Sequence, residues 1–323
     1  MSLQNKSSLN VTTLDEILRC TSLSSLLEVA GWPKPGNVHR TQDFTETRFE
    51  HFLAGVAGIQ PEFRRFIKNI QENFTSHKSD LSYIHLGTFF KDAAEQMMRW
   101  QEGGNVILGH ILILGPLVAT AVICILQNNL HRKDFERTLR EIIDDSTVQD
   151  TVNLYKAINI CNPGGLGKVA KYDLTDENAI EQIQHDEVTL KQIFEFSQDY
   201  DLISREYATG FEIILKEGLP FYFDIFNQTK DINIATVHTF LYLLSNHRDT
   251  LIIRKSGNEM ANWVSEEASK VLKVGGLKTQ EGRHIIQEMD ERLQKQQGQL
   301  NPGTTADLLA GTIFCALIFG LKF

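Results

Sequence analysis

Apolar residues recur at three- and four-residue steps along nearly the whole chain, a period that predicts helices. Leu14, Ile17 and Leu18 begin one stripe, and Leu23, Leu26, Leu27 and Ala30 continue it. Phe49, Phe52, Leu53 and Val56 form the next, which Pro61 is expected to interrupt. Ala93, Ala94, Met97 and Met98 follow, then Leu139, Ile142 and Ile143, then Val152, Tyr155 and Ile158. Ile193, Phe194, Phe196 and Tyr200 lead into Ile203, Tyr207 and Phe211, and Val237, Phe240, Leu241 and Leu244 mark another helix. Met260, Val264, Ala268, Val271 and Leu272 close at Gly275-Gly276, where glycine supplies the left-handed cap. No sustained two-residue alternation is bounded by hairpin turns, so strands are not expected. The pattern predicts an all-α fold: a single multi-helix bundle domain over 13–323, preceded by a polar, flexible tail over 1–12. Lys171–Gln184, where polar residues dominate, is its weakest seam.

Two segments are apolar on every side. Val106 to Leu126 carries no formal charge and has the length a bilayer requires. It also holds Gly109, His110, Gly115 and Pro116, no flanking basic cluster orients it, and no second comparable span exists. A central helix buried all round gives the same pattern and is the expectation here. Leu308–Leu321 is too short to span a membrane comfortably and reads as a buried closing helix.

Composition narrows the function classes. Of 323 residues, 42% are hydrophobic, enough for a real core. A net charge of −9 disfavours nucleic acid as partner. An acidic chain can still hold a polyphosphate where its cations, or a bound Mg²⁺, gather locally. Cys20, Cys124, Cys161 and Cys315 are scattered without a Cys-x-x-Cys pair, so neither zinc nor a disulfide framework is expected. With no signal pattern at the N-terminus, a cytoplasmic location follows as the expectation.

The candidate chemistry lies at breaks between helices. Pro33-Lys34-Pro35-Gly36-Asn37-Val38-His39 is a rigid bend displaying Lys34 and Asn37 toward a phosphate, with His39 behind and Asp43 four residues on. A helix-ending turn is the plain alternative. Asn105 follows Gly103-Gly104 and opens the long apolar helix, either as an N-cap or as an anion contact. Gly164 and Gly165, in Asn162-Pro163-Gly164-Gly165-Leu166-Gly167, let backbone approach a phosphate, or merely reverse the chain. The glycine spacing is not that of a P-loop. Arg205 and Glu206 are adjacent charges that can pair on one helix. Asp249 and Thr250 begin a helix that carries Arg254 and Lys255 one turn onward. In Asn301-Pro302-Gly303-Thr304-Thr305-Ala306-Asp307, Thr304 and Asp307 have the spacing of a capping box at the mouth of the closing helix. Glu95 precedes Gly103-Gly104 on its helix and faces either the site or solvent.

In this order, these islands resemble the triphosphoribosyl-dephospho-CoA synthase family, particularly its archaeal-looking branch. The similarity runs from about Glu28 to the C-terminus and includes Arg205-Glu206-Tyr207-Ala208-Thr209-Gly210-Phe211. The resemblance implies an ATP-dependent transferase. It would join the triphosphoribosyl part of ATP to the ribose 2′-hydroxyl of 3′-dephospho-CoA, or a related acceptor, and release adenine. One departure stands out. Bacterial members carry a Gly-Gly-Val-Asn-Thr-His-Lys-Gly-like segment, whereas this chain reads Gly103-Gly104-Asn105-Val106-Ile107-Leu108-Gly109, without that histidine and lysine.

Such a reaction needs a proton acceptor for the hydroxyl and neutralisation of the triphosphate. On this reading Asp249, Asp307 and Glu95 are the catalytic candidates, with Asp249 and Asp307 also holding Mg²⁺. Lys34, Asn37, His39, Asn105, Gly164, Gly165, Arg205, Arg254, Lys255, Thr304 and Thr305 would hold ATP and the acceptor. No nucleic-acid or membrane partner is expected, and a homodimer is allowed for. Two alternatives stay open: an Mg²⁺-dependent N-glycosidase with water as acceptor, and a non-enzymatic helical nucleotide-binding protein.

Overall fold

The computed structural model describes residues 7–75, 80–164 and 171–323. Fourteen α-helices and no strands occur among the described residues. In chain order they are α1 (Leu14–Ala30), α2 (Phe49–Asn73), α3 (Leu86–Arg99), α4 (Leu108–Gln127), α5 (Arg132–Asp144), α6 (Val148–Cys161) and α7 (Ala179–His185). Then come α8 (Leu190–Ser197), α9 (Leu202–Thr209), α10 (Leu219–Thr229), α11 (Ile232–Asn246), α12 (Thr250–Lys273), α13 (Gln280–Gln294) and α14 (Gly303–Ile318). A π-helical segment, Ile213–Gly218, links α9 to α10.

The two all-apolar segments form the centre. α4 packs on α14, with α1, α2, α3, α5 and α9 around them. α4 is the one described helix long and apolar enough to cross a membrane, and 89% of its apolar window is buried inside the protein. Its apolar surface is therefore removed from water by other helices, as a core requires.

Local signals gave way to packing in two places. Pro61 does not interrupt α2, which runs through it to Asn73. Pro61 lacks one N–H, but the helix buries Ile59, Phe63, Phe66, Ile67 and Ile70. The rings of Phe63 and Phe66 lie 4.7 and 4.5 Å from that of Phe89. Burial on that scale outweighs one missing hydrogen bond. Residues 7–12, expected within a flexible tail, are instead pinned: Leu9 N–H donates to Leu130 O and Asn10 N–H to Ile318 O. Leu9 and Val11 are buried in the core.

Candidate active site

The N-terminal ends of four helices (α4, α9, α12 and α14) converge near the C-terminal end of α1, and the charged candidates sit where they meet. The join is made by Asp249. It caps α12, its Oδ1 accepting from Leu251 N–H at 2.9 Å and Ile252 N–H at 3.1 Å. Its Oδ2 reaches across to α14 and accepts from Thr305 N–H at 2.7 Å and Thr305 Oγ1 at 2.8 Å. Thr250 Oγ1 adds a bond to Thr304 Oγ1 at 3.2 Å. Burial pushes the Asp249 carboxyl above its ordinary range, against the pull of these donors. Asp201 caps α9 through Ser204 N–H and pairs with Arg254 Nη1 at 3.0 Å.

This arrangement corrects the expected capping box on α14. Pro302 stands at its N-cap without a side-chain bond, and the capping oxygen comes from Asp249 on another helix. Asp307 is thereby released. Among the described residues its carboxylate makes no hydrogen bond, and 20% of the side chain remains exposed. It lies over Gly109 at the start of α4, where a Cβ would overlap the carboxylate. Only a glycine allows that approach. Burial, then the charges of Glu28, Asp249 and Asp201, raise the Asp307 carboxyl well above its ordinary range, with Arg254 opposing.

Lys34 is placed unlike the expectation. It is fully buried, and its Nζ donates to Glu28 Oε1 and, at 3.0 Å, to Glu28 O. The Phe240 ring lies 5.9 Å away. Burial pushes the Lys34 ammonium below its usual range, while Glu28 and Asp307 pull the other way. Burial likewise opposes ionisation of Glu28, but Lys34 and His110 outweigh it and hold the carboxyl below its ordinary range. His110 Nε2 stands 3.4 Å from Glu28 Oε2 and 3.7 Å from Asp307 Oδ1. Neither Glu28 nor His110 was singled out from the sequence, because each sits in a helical apolar pattern that conceals it.

The rest of the Lys34 bend is structural. Gly36 N–H and His39 Nε2 contact the two oxygens of Asp290 on α13, at 3.0 and 2.9 Å. Asn37 Nδ2 donates to Asn301 Oδ1 at 3.0 Å. Gly36 has φ of 76° and no room for a Cβ beside Leu293 and Leu300, so only glycine fits. The bend is thus clamped to α13, and Asn37 and His39 are buried on partners within the fold. Asp43 caps α2 through Phe49 N–H.

Other candidates lie apart. Glu95 is a half-exposed partner of Lys91 on α3, at 2.9 Å. Gly164 lies open after α6, which packs on α3, α7 and α8, and Gly165 falls outside the described residues. Arg205 is exposed and does not pair with Glu206. Glu206 turns inward and accepts from Ile213 and Ile214 N–H at 2.9 and 3.0 Å, fixing the start of the π-helical segment. Asn105 accepts from Leu108 N–H at 3.1 Å, one turn before Gly109. Lys255 donates to Gly298 O at 3.1 Å, and burial lowers its ammonium.

The expected Asp249–Asp307 metal pair does not fit. Four donors occupy the roughly four lone-pair positions of Asp249. No group of three or more His, Cys, Asp or Glu side chains among the described residues is arranged to hold a metal ion. Two surface clefts, of about 390 Å³ between α1 and α2 and about 620 Å³ beside α5 and α10, hold none of the charged cluster. The charged cluster therefore lies at side chains and helix ends outside both clefts.

Comparison with known proteins agrees with this architecture. The family model described as ATP:dephospho-CoA triphosphoribosyl transferase matches residues 14–322. A Vibrio cholerae serotype O1 protein named as a probable 2-(5''-triphosphoribosyl)-3'-dephosphocoenzyme-A synthase is 26% identical over 296 residues, covering 89% of this chain and 83% of its own length. A Klebsiella pneumoniae 2-(5''-triphosphoribosyl)-3'-dephosphocoenzyme-A synthase is 31% identical over 109 residues, 34% of this chain and 35% of its own. A crystal structure from Archaeoglobus fulgidus, ascribed to a triphosphoribosyl-dephospho-CoA synthase, superposes with a TM-score of 0.60 at 27% identity, covering 84% of this chain and all of that one.

Proposed function

The chain belongs to the ATP:dephospho-CoA triphosphoribosyl transferase family, and from that premise we infer how its own residues carry the transfer. The protein is a transferase, with ATP and 3′-dephospho-CoA as substrates. In the reaction the glycosidic bond to adenine breaks and the base leaves with the electron pair. The 2′-hydroxyl oxygen of the acceptor bonds to the anomeric carbon, and its proton must go to a base.

We assign the proton to Asp307. A carboxylate of raised pKa is a stronger base near neutrality than an ordinary aspartate. It is also the partly exposed carboxylate of the cluster that makes no hydrogen bond. The triphosphate would lie against the converging helix N-termini, whose partial positive charge favours an anion. Arg254 and Lys255 supply full charges there, and Asn105, Thr304 and Thr305 line the same ends. Lys34 acts from behind, as the counter-ion of Glu28, and Asp249 ties α12 to α14. Mg²⁺, which family chemistry leads one to expect, would enter on the triphosphate as part of the substrate.

The observation that supports this reading most is the meeting of four helix N-termini around one unbonded carboxylate in an otherwise acidic protein. Incubation with ATP, Mg²⁺ and dephospho-CoA should release adenine only when the acceptor is present. Equal release without an acceptor would make water the acceptor and the protein a hydrolase.

A further inference from the structure

His110 is 2% exposed, and its Nδ1 is buried without any hydrogen-bond partner. An unpaired ring nitrogen in the interior is unfavourable, and Ile113 and Leu114, three and four positions on, show that this helix face accepts buried apolar residues. The other ring nitrogen explains its presence. Nε2 stands between Glu28 Oε2 and Asp307 Oδ1, at 3.4 and 3.7 Å, so a proton there is attracted to both carboxylates. Behind Glu28 lies the buried Lys34 ammonium. The four groups form one line from the interior to the exposed edge of Asp307. Contacts of this length in a substrate-free site commonly tighten when substrate binds.

We propose that His110 is a positioning residue for the transfer: its Nε2 proton links Asp307 to the Glu28–Lys34 pair, and so orients the carboxylate that meets the acceptor hydroxyl. This rests on the transfer reaction inferred above. The charged groups that reach Asp307 are Glu28 from α1, Lys34 from the bend, His110 from α4, Asp201 beside α9, and Asp249 and Arg254 at the start of α12. Of these His110 alone offers it a ring N–H. When Asp307 takes the hydroxyl proton, the Nε2 proton stays on the ring and continues to bridge the two carboxyls. No net charge is then moved into the interior.

His110→Gln keeps an amide near the Nε2 position but cannot share a ring proton. Its kcat is expected to fall by about tenfold or more, with KM for ATP within about twofold. The acidic limb of its pH–rate profile should move upward, because the flexible amide, although it carries N–H groups, no longer fixes one of them between the two carboxyls. An unchanged profile, with kcat reduced only as far as the folded fraction, overturns the proposal. Should His110→Gln not fold, the imidazole ¹⁵N spectrum of the unmodified full chain serves instead. The proton should reside on Nε2, and its signal should change over the pH range of the acidic limb and respond to Asp307→Asn. A ring insensitive to both overturns the linkage. That spectrum is read without turnover, so a protein that releases no adenine would sink the transfer reading while still testing this one.

Discussion

Asp249 and Asp307 stand at the same end of the closing helix and make opposite use of the same side chain. Asp249 is fully buried, and four donors from α12 and α14 satisfy both its oxygens. Asp307 is partly open and, among the described residues, accepts no hydrogen bond; carboxylates surround it and only Arg254, Lys34 and His110 offset them. A satisfied carboxylate stabilises a fold, whereas an unsatisfied one raises the energy of its ionised form and so becomes the candidate for chemistry. The difference teaches that burial of an acid near a helix end does not itself mark chemistry. The count of donors decides.

Four changes break or sharpen this contrast. The largest effect is expected behind the carboxylate proposed as the base. Lys34→Met leaves Glu28 buried without a counter-charge and should lower unfolding stability by about 3–5 kcal/mol in denaturant titration. Replacing Glu28 by Met as well should recover most of that, since an apolar pair needs no compensation. Asp249→Ala removes a cap and orphans the Thr305 donors, with an expected loss of about 2–4 kcal/mol. Adenine release per folded molecule should remain measurable in that variant, and its disappearance at full folding would move Asp249 to the reactive side of the contrast.

Asp307→Asn should do the reverse. Transfer is expected to fall by about a hundredfold or more, near 3 kcal/mol in transition-state terms, with a thermal midpoint no lower than that of wild type. Full turnover in that variant removes Asp307 from the reaction. The smallest effect is one of pH. The folded-state pKa of Asp307 is raised, so its contribution to stability is complete below the ordinary carboxylate range, about pH 4, and is lost as pH rises through the folded value. Wild type should therefore lose stability relative to Asp307→Asn on going from acid toward neutral pH. Parallel curves in paired unfolding titrations would contradict the assignment.

Several features of the site were legible along the chain. The bend at Lys34, the Asp249–Arg254 segment and the Asn301–Asp307 segment converge, as their position at helix breaks suggested. Their roles within the site were not legible. Lys34 reads as an exposed cation on a Pro-Gly turn, yet it is among the most buried side chains in the protein. Thr304 and Asp307 have the spacing of a local capping box, but the donor at Thr305 goes to Asp249, 56 positions away. Glu28 and His110 have no local signature, because a single polar residue on an apolar stripe looks like a helix edge.

The sequence alone determined the helices, the all-α class, the buried central position of α4 and the breaks at which charges collect. These follow from hydrophobic period and from backbone restrictions at Gly and Pro, both properties of near neighbours. Only the tertiary structure decided which carboxylate is satisfied, that Lys34 faces inward, and that His110 lies near both Glu28 and Asp307. Solvation and hydrogen bonding at each charge depend on segments far apart in the chain, and no local pattern records which of them will meet.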